Sequence, residues 1–251
     1  MKKIVGVLLL IFVLGAIRVQ AQWQQRKVFR FGIHTSPTWS WMQTDDKLLE
    51  GSGLNWGAKL GVQGEYYFAN NYAFIGGIGL ALGHGGELLN GYPQAVLLPN
   101  SNLTDPRLDT LGKDARVHYK LSYVEIPFGL RLRGGLGEDS PLRFYAEAPV
   151  FTIGFLSRAL GNLRGNVPVR LEDENIKRDV TNLALSWGVG AGVEYEVSPS
   201  ITLVGGLHYQ RLFTDMTTNR GSVLPPSAAE WRRENSKAIS NVLTLRLGVF
   251  F

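Results

Sequence analysis

Polar and apolar positions alternate along this chain with period two, most regularly over residues 180–215. There, Thr181, Leu183, Leu185, Trp187, Val189, Ala191, Val193, Tyr195 and Val197 share one parity. Asn182, Ala184, Ser186, Gly188, Gly190, Gly192, Glu194 and Glu196 take the other. Successive strand side chains point to opposite faces, so one face is bulky and apolar and the other small or charged. A connection containing Pro199 follows, and Ile201, Leu203, Leu207 and Tyr209 then alternate with Thr202, Gly206, His208 and Gln210. The first run is about twice the length of an ordinary globular strand. Long alternating strands joined by a tight turn, with glycines and acids on the inward parity, predict a transmembrane β-barrel.

The same pattern recurs along the chain. Residues 28–41 place Phe29, Phe31, Ile33, Trp39 and Trp41 outside and Arg30, Gly32, His34, Ser36 and Ser40 inside. Pro37 cannot donate to a ladder, which predicts a bulge there or the upper part of the strand. Residues 54–68 put Asn55, Lys59, Gln63 and Glu65 inside, and residues 72–83 put Ala73, Gly77, Gly79 and Ala81 inside. In residues 116–133 the phase slips. Val117, Tyr119 and Leu121 share one parity, but Val124, Ile126, Phe128, Leu130 and Leu132 share the other. A bulge between Lys120 and Val124 would reconcile them, with Glu125, Arg131 and Arg133 inward below it. Residues 142–158 also change phase, near Pro149. The last strand, 237–251, has Ile239, Leu243, Leu245, Leu247, Val249 and Phe251 outside and Ser240, Thr244, Arg246 and Gly248 inside.

These segments number eight, and the connections between them alternate long and short. The expected fold is all-β, an eight-stranded antiparallel up-and-down transmembrane barrel with periplasmic termini, short periplasmic turns and long outer loops. The longest of those loops are read at 85–115, 159–179 and 217–236. Aromatic residues near strand ends (Trp39, Trp41, Trp56, Tyr66, Phe68, Tyr72, Trp187 and Tyr195) suit the two membrane interfaces.

The first 21 residues change the picture of charge. Lys2 and Lys3 precede an apolar run too short for a comfortable span, and Val19-Gln20-Ala21 offers a cleavage site, so 1–21 reads as a signal peptide. Residues 22–27 then form a short periplasmic segment and 28–251 the barrel. Without Lys2, Lys3 and Arg18 of the signal, 23 basic residues face 21 acidic ones. That near balance, with no basic patch interleaved by aromatics, gives no reason to expect a nucleic-acid partner. The chain has no cysteine, which excludes a disulfide framework and thiolate metal sites.

Three stretches carry a family resemblance: FRFGIHTSPTWSWM, YVEIPFGLRLR and GVGAGVEYEVSPSITLVGGLHYQRLFTD. The chain resembles the PorT family of Bacteroidota outer-membrane barrels, most specifically at Tyr123, Val124, Glu125, Ile126 and Pro127. The resemblance implies an integral outer-membrane protein in type IX secretion of proteins to the cell surface. It also implies partners among other secretion-system membrane or periplasmic proteins, besides outer-membrane lipid. The terminal Phe251 resembles the end that such barrels show to their assembly machinery during insertion.

The inward polar residues are the candidate site. An eight-stranded barrel has an interior just wide enough for side chains to fill. Lys59, Glu65, Glu125, Arg131, Arg133, Glu194 and Arg246, with Glu196, are therefore expected to form a paired structural network, since an isolated buried ion would cost several kcal/mol. A conducting path is the competing reading, and the filled lumen weighs against it. For acyl transfer, His34 and Ser36 are the one suggestive pair, while His118 near Asp114 and His208 stand alone. No acid is placed beside them, and the chain is expected to be no enzyme. No histidine pair is spaced with carboxylates as a metal site, and no cofactor is expected. A surface-binding protein working through its long loops is the third class, alongside the secretion component.

Overall fold

The computed structural model describes residues 28–135 and 140–251. The expected signal peptide and the 22–27 segment lie outside the described residues. Eight long strands form the wall: β1 (Phe29–Thr44), β2 (Asn55–Ala69), β3 (Tyr72–Asn90), β4 (Ala115–Gly135), β5 (Leu142–Gly165), β6 (Leu183–Ser198), β7 (Ile201–Leu212) and β8 (Ala238–Phe250). Each pairs antiparallel with its chain neighbour, and β8 pairs with β1, for example Ile33 with Val249, which closes the barrel. The expected fold is the observed one.

The outward parities carry the lipid-facing surface. Ile33, Leu60, Ile78, Leu80, Val189, Leu207 and Leu247 are exposed around its waist. Aromatic pairs flank them at both ends, with Trp39 5.1 Å from Trp56 and Phe68 4.7 Å from Phe74 between ring centres. Pro37 sits in continuous register, opposite Ala58, so no bulge forms there. The β1–β8 ladder merely lacks rungs between Thr35 and Thr38, where proline has no donor to give.

The strands outrun the membrane. A transmembrane strand needs about 9–11 residues, yet β3, β4 and β5 run for 19, 21 and 24. The segments 85–90 and 159–165, read from sequence as loop, are thus continuations of β3 and β5. On the outer part of β4 the exterior becomes polar (Arg116, His118, Lys120, Ser122), while Val117, Tyr119, Leu121 and Tyr123 are buried inside.

This explains the phase slip. The ladder does shift register at Ser122/Tyr123, but the extra residues belong to β5 and, at Ala81/His84, to β3, where Gly83 takes φ +69°. Side-chain alternation along β4 itself is unbroken from Ala115 to Arg133. What changes along β4 is the chemistry of the interior, apolar above and ionic below. The phase change near Pro149 is real: Glu147 and Thr152 are both buried despite opposite parity.

The remaining outer segments fold into a cap. Gln94–Val96, Leu111–Gly112, Ser222–Leu224 and Arg232–Arg233 form a four-stranded sheet, and Leu49–Ser52 adds to the extended edge of β3. Beneath them lies an apolar core of Leu88, Tyr92, Leu108, Leu111, Leu121, Leu163 and Ile176, each almost wholly buried. Polar ties hold it: the Tyr92 hydroxyl donates to Asp46 Oδ2 and accepts from Arg232 Nη2, both at 2.5 Å. Burial pushes the Glu234 carboxyl above its ordinary value, against the Ser236 amide and hydroxyl that donate to it.

The two wall faces should respond oppositely to size and charge. Val189→Arg, on the lipid-facing waist, is expected to cost about 2–4 kcal/mol and impair assembly. Its inward neighbour Gly190 should refuse any larger residue, since a Cβ there would lie 2.1 Å from the His208 ring. Arg116→Gln, above the membrane, should be mild. Heat-modifiable migration on denaturing gels reads all three; tolerance of Val189→Arg would reverse the assigned faces.

Candidate functional site

The lower lumen is filled by an ionic cluster built from nearly every strand. Arg131 of β4 is its centre, fully buried. Its Nη1 pairs with Glu65 of β2 and lies 3.2 Å from Glu194 Oε1 of β6, while its Nε lies 3.1 Å from Glu147 Oε1 of β5. Its guanidinium stacks over the Tyr145 ring at 4.0 Å. Arg30 of β1 adds contacts to Glu65 at 3.5 Å and Glu194 at 3.2 Å. Arg133 Nε lies 2.8 Å from Glu194 Oε2. Arg246 of β8 reaches Glu147 Oε2 at 3.1 Å, and its Nη1 also donates to Gln63 Oε1 at 3.0 Å. Arg131 Nε, Arg133 Nε and Glu194 Oε1 make close ion pairs without hydrogen-bond alignment. They attract through charge alone.

Further polar side chains complete the cluster. Tyr67 donates to Glu65 Oε2 at 2.7 Å. His208 of β7 places Nδ1 3.3 Å from Glu147 Oε2 and Nε2 3.2 Å from the Tyr145 hydroxyl. Space for these rings comes from inward glycines: a Cβ at Gly206 would sit 2.2 Å from the Tyr145 oxygen. Phe250, buried below, faces both Arg30 and Arg131.

A second, smaller pairing lies above. Lys59 Nζ is 2.7 Å from Glu125 Oε2 and donates to Gln210 Oε1 at 2.5 Å; Gln210 in turn donates to Ser186 Oγ at 2.7 Å. Between the two levels is a cavity of about 60 Å³ lined by His34, Ser36, Lys59, Glu125, His208 and Arg246. Higher still, the apolar core of the cap fills the lumen.

The structure thus brings Glu65, Arg131, Arg133, Glu194 and Arg246 into one cluster and sets Lys59 and Glu125 apart as a pair. Glu196 belongs to neither. Its side chain is 38 % exposed and 4.0 Å from Arg143, at the periplasmic rim where the lumen opens. In the YVEIP segment Tyr123 and Glu125 face in, Val124 and Ile126 face out, and Pro127 stands opposite Thr152 of β5.

Sequence reasoning left Glu147 out, because the phase change near Pro149 hid its facing. Cross-strand charge could have found it: Glu147 stands opposite Arg131 in the ladder, as Glu65 stands opposite Arg30.

Ser36 Oγ and His34 Nδ1 have no hydrogen-bond partner, so the two are not joined as nucleophile and base. Among the described residues no three His, Asp or Glu side chains converge as metal ligands.

A closed strand wall with apolar exterior, aromatic ends and ionic interior defines an integral outer-membrane β-barrel, crossing the membrane by its strands. The chain belongs to the outer membrane protein beta-barrel domain family, whose model matches residues 7–231. No curated protein matches it. Among solved structures it is similar to a major outer membrane protein from Thermus thermophilus, at 15% identity over 90% of this chain and 99% of that one, TM-score 0.44. OprG from Pseudomonas aeruginosa gives 14% identity, 92% and 99% coverage and TM-score 0.42. Ail, the attachment invasion locus protein of Yersinia pestis, gives 10% identity, 88% and 98% coverage and TM-score 0.38.

Removing one member of the cluster should expose the rest. Arg131→Leu removes the cation that touches all three glutamates and is expected to destabilise the barrel by about 3–5 kcal/mol. Arg143→Gln, at the exposed rim, should fall within about 1 kcal/mol of the parent. Urea unfolding in detergent, followed by tryptophan fluorescence, distinguishes the two. A similar midpoint for both would mean that the cluster does not hold the lumen together.

Proposed function

We propose that this chain is a non-catalytic outer-membrane barrel that works through its surfaces, as an accessory or assembly component of protein export to the cell surface. One observation carries the reading: the lumen is filled by the ionic cluster below and by apolar side chains above. A polypeptide cannot pass an interior only wide enough for its own side chains. The unjoined His34 and Ser36 likewise argue against processing of cargo. What remains is docking, assembly or stabilisation of other proteins at the membrane-plane, periplasmic or outer surfaces. The direction toward export, of the type IX kind, comes from the PorT resemblance centred on Tyr123, Val124, Glu125, Ile126 and Pro127, which is association rather than mechanism.

A second reading is a surface barrel that binds external ligands or stabilises the outer membrane without a part in export. The folded cap supports it, because rigidly supported outer segments are where such barrels present contacts.

Deleting the gene and assaying export of surface-displayed cargo separates these readings. The export role requires cargo to accumulate in the periplasm and display to return with the wild-type gene. Normal display in the null strain would overturn it and leave the surface reading.

A further inference from the structure

At the outer end, above β6 and β7, lies a groove of about 970 Å³ whose walls come from residues 100–102, 175–182 and 217–220. Its charged lining consists of Lys177, Arg178 and Arg220; no carboxylate faces it, and asparagine amides and hydroxyls supply the rest. Two acids lie behind the lining: Asp179, buried beneath the floor, accepts from the Asn100 amide groups and from Ser101 Oγ at 2.6 Å, and Asp215 accepts from the Thr217 amide at 3.0 Å. Elsewhere in the cap some cations are matched, Arg107 with Asp105, Arg116 with Glu87 and Lys120 with Asp173, while among the described residues the exposed Arg164 and Arg170 stand singly. The three groove cations have no ion-pair partner among the described residues. Lys177 donates to the Ser157 carbonyl at 3.1 Å, which aims it along the wall.

Position selects the ligand class. The Val180–Thr217 bridge and the Thr181 N–H to Met216 carbonyl bond seat the groove on the tops of β6 and β7. Immediately below, Leu183, Phe155 and Phe213 are 40, 48 and 47% exposed on the lipid-facing wall. Leu183 and Phe155 are ladder partners, so the apolar surface is continuous. Unpaired guanidinium groups directly above exposed hydrocarbon match an amphiphile with an anionic head. Arginine forks match phosphate oxygens in particular.

We propose that this groove binds the phosphorylated headgroup of an outer-leaflet lipid, whose acyl chains lie along Leu183, Phe155 and Phe213. The site is independent of any export role.

The test uses the full-length barrel in detergent, with ligand retention read by native mass spectrometry. The probes are a bis-phosphorylated glycolipid, its dephosphorylated form, inorganic phosphate and a soluble sulfated oligosaccharide. The phosphorylated lipid should be retained and the dephosphorylated lipid not. In Lys177→Gln/Arg178→Gln/Arg220→Gln its binding should weaken about tenfold or more. The charge-matched variant Arg107→Gln/Arg164→Gln/Arg170→Gln, exposed elsewhere on the cap, should bind as the parent does. Equal loss in both variants, or equal retention of both lipids by the parent, overturns the proposal. So does retention of phosphate or the sulfated sugar without the lipid, since that would make the groove a soluble-anion site. The lipid comparison on the parent holds even if the groove variant fails to fold.

Discussion

The contact on which this barrel depends is that of Arg131 with Glu65, Glu147 and Glu194, carboxylates carried by three other strands. Lipid tails are as apolar as the leucines that face them, so the outer wall gains little by choosing one strand register over another. The interior does discriminate. A slip of one residue exchanges the two faces of a strand. For β4 it would drive Arg131 into hydrocarbon and leave three buried glutamates without their shared cation. The cluster adds little net stability by ordinary measure, since desolvating each ion costs several kcal/mol. Its effect is to make the alternatives far worse.

Above the cluster the same tube is organised like a soluble protein. Val117, Tyr119 and Leu121 face inward, while Arg116, His118 and Lys120 of the same strand face water. The reason is the change of outer solvent along one strand. In lipid the apolar side chains belong outside, and the limited interior goes to paired charges. Beyond the headgroups, burying apolar surface inside is favourable again. The barrel therefore inverts halfway up while β4 keeps its alternation unbroken, and the folded cap closes over the resulting apolar core.

The strand count, closure and facing were legible because period-two alternation is a strong local signal over sixteen-residue runs such as Leu183–Ser198. The inversion was not legible as such. In β4 the shift of hydrophobic parity looks identical to a bulge, because sequence does not say which solvent lies outside. Glu147 escaped for a related reason: the irregularity at Pro149 breaks the parity count, and only the ladder partner Arg131 restores it. Glu196 erred the other way. Its parity is inward, but depth along the tube, which parity does not encode, places it at the wet rim. The cap strands are two to four residues long and pair across distant segments, so no local pattern announces them.

The lumenal charges also impose an order on assembly. Arg30 comes from the first strand, Arg246 from the last, and Glu65, Arg131, Glu147, Glu194 and His208 from five of the six between. Only β3 contributes no polar side chain to the cluster; its inward Ala73, Gly77 and Gly79 leave the room that the others fill. A sheet zipped through seven strands therefore still carries Arg246 apart from Glu147, and Arg30 apart from its far-side partner Glu194. Those attractions arrive only when the first and last strands meet. Closure is thus rewarded at its final step, which makes the half-built sheet a transient species and the finished tube hard to reopen from either edge.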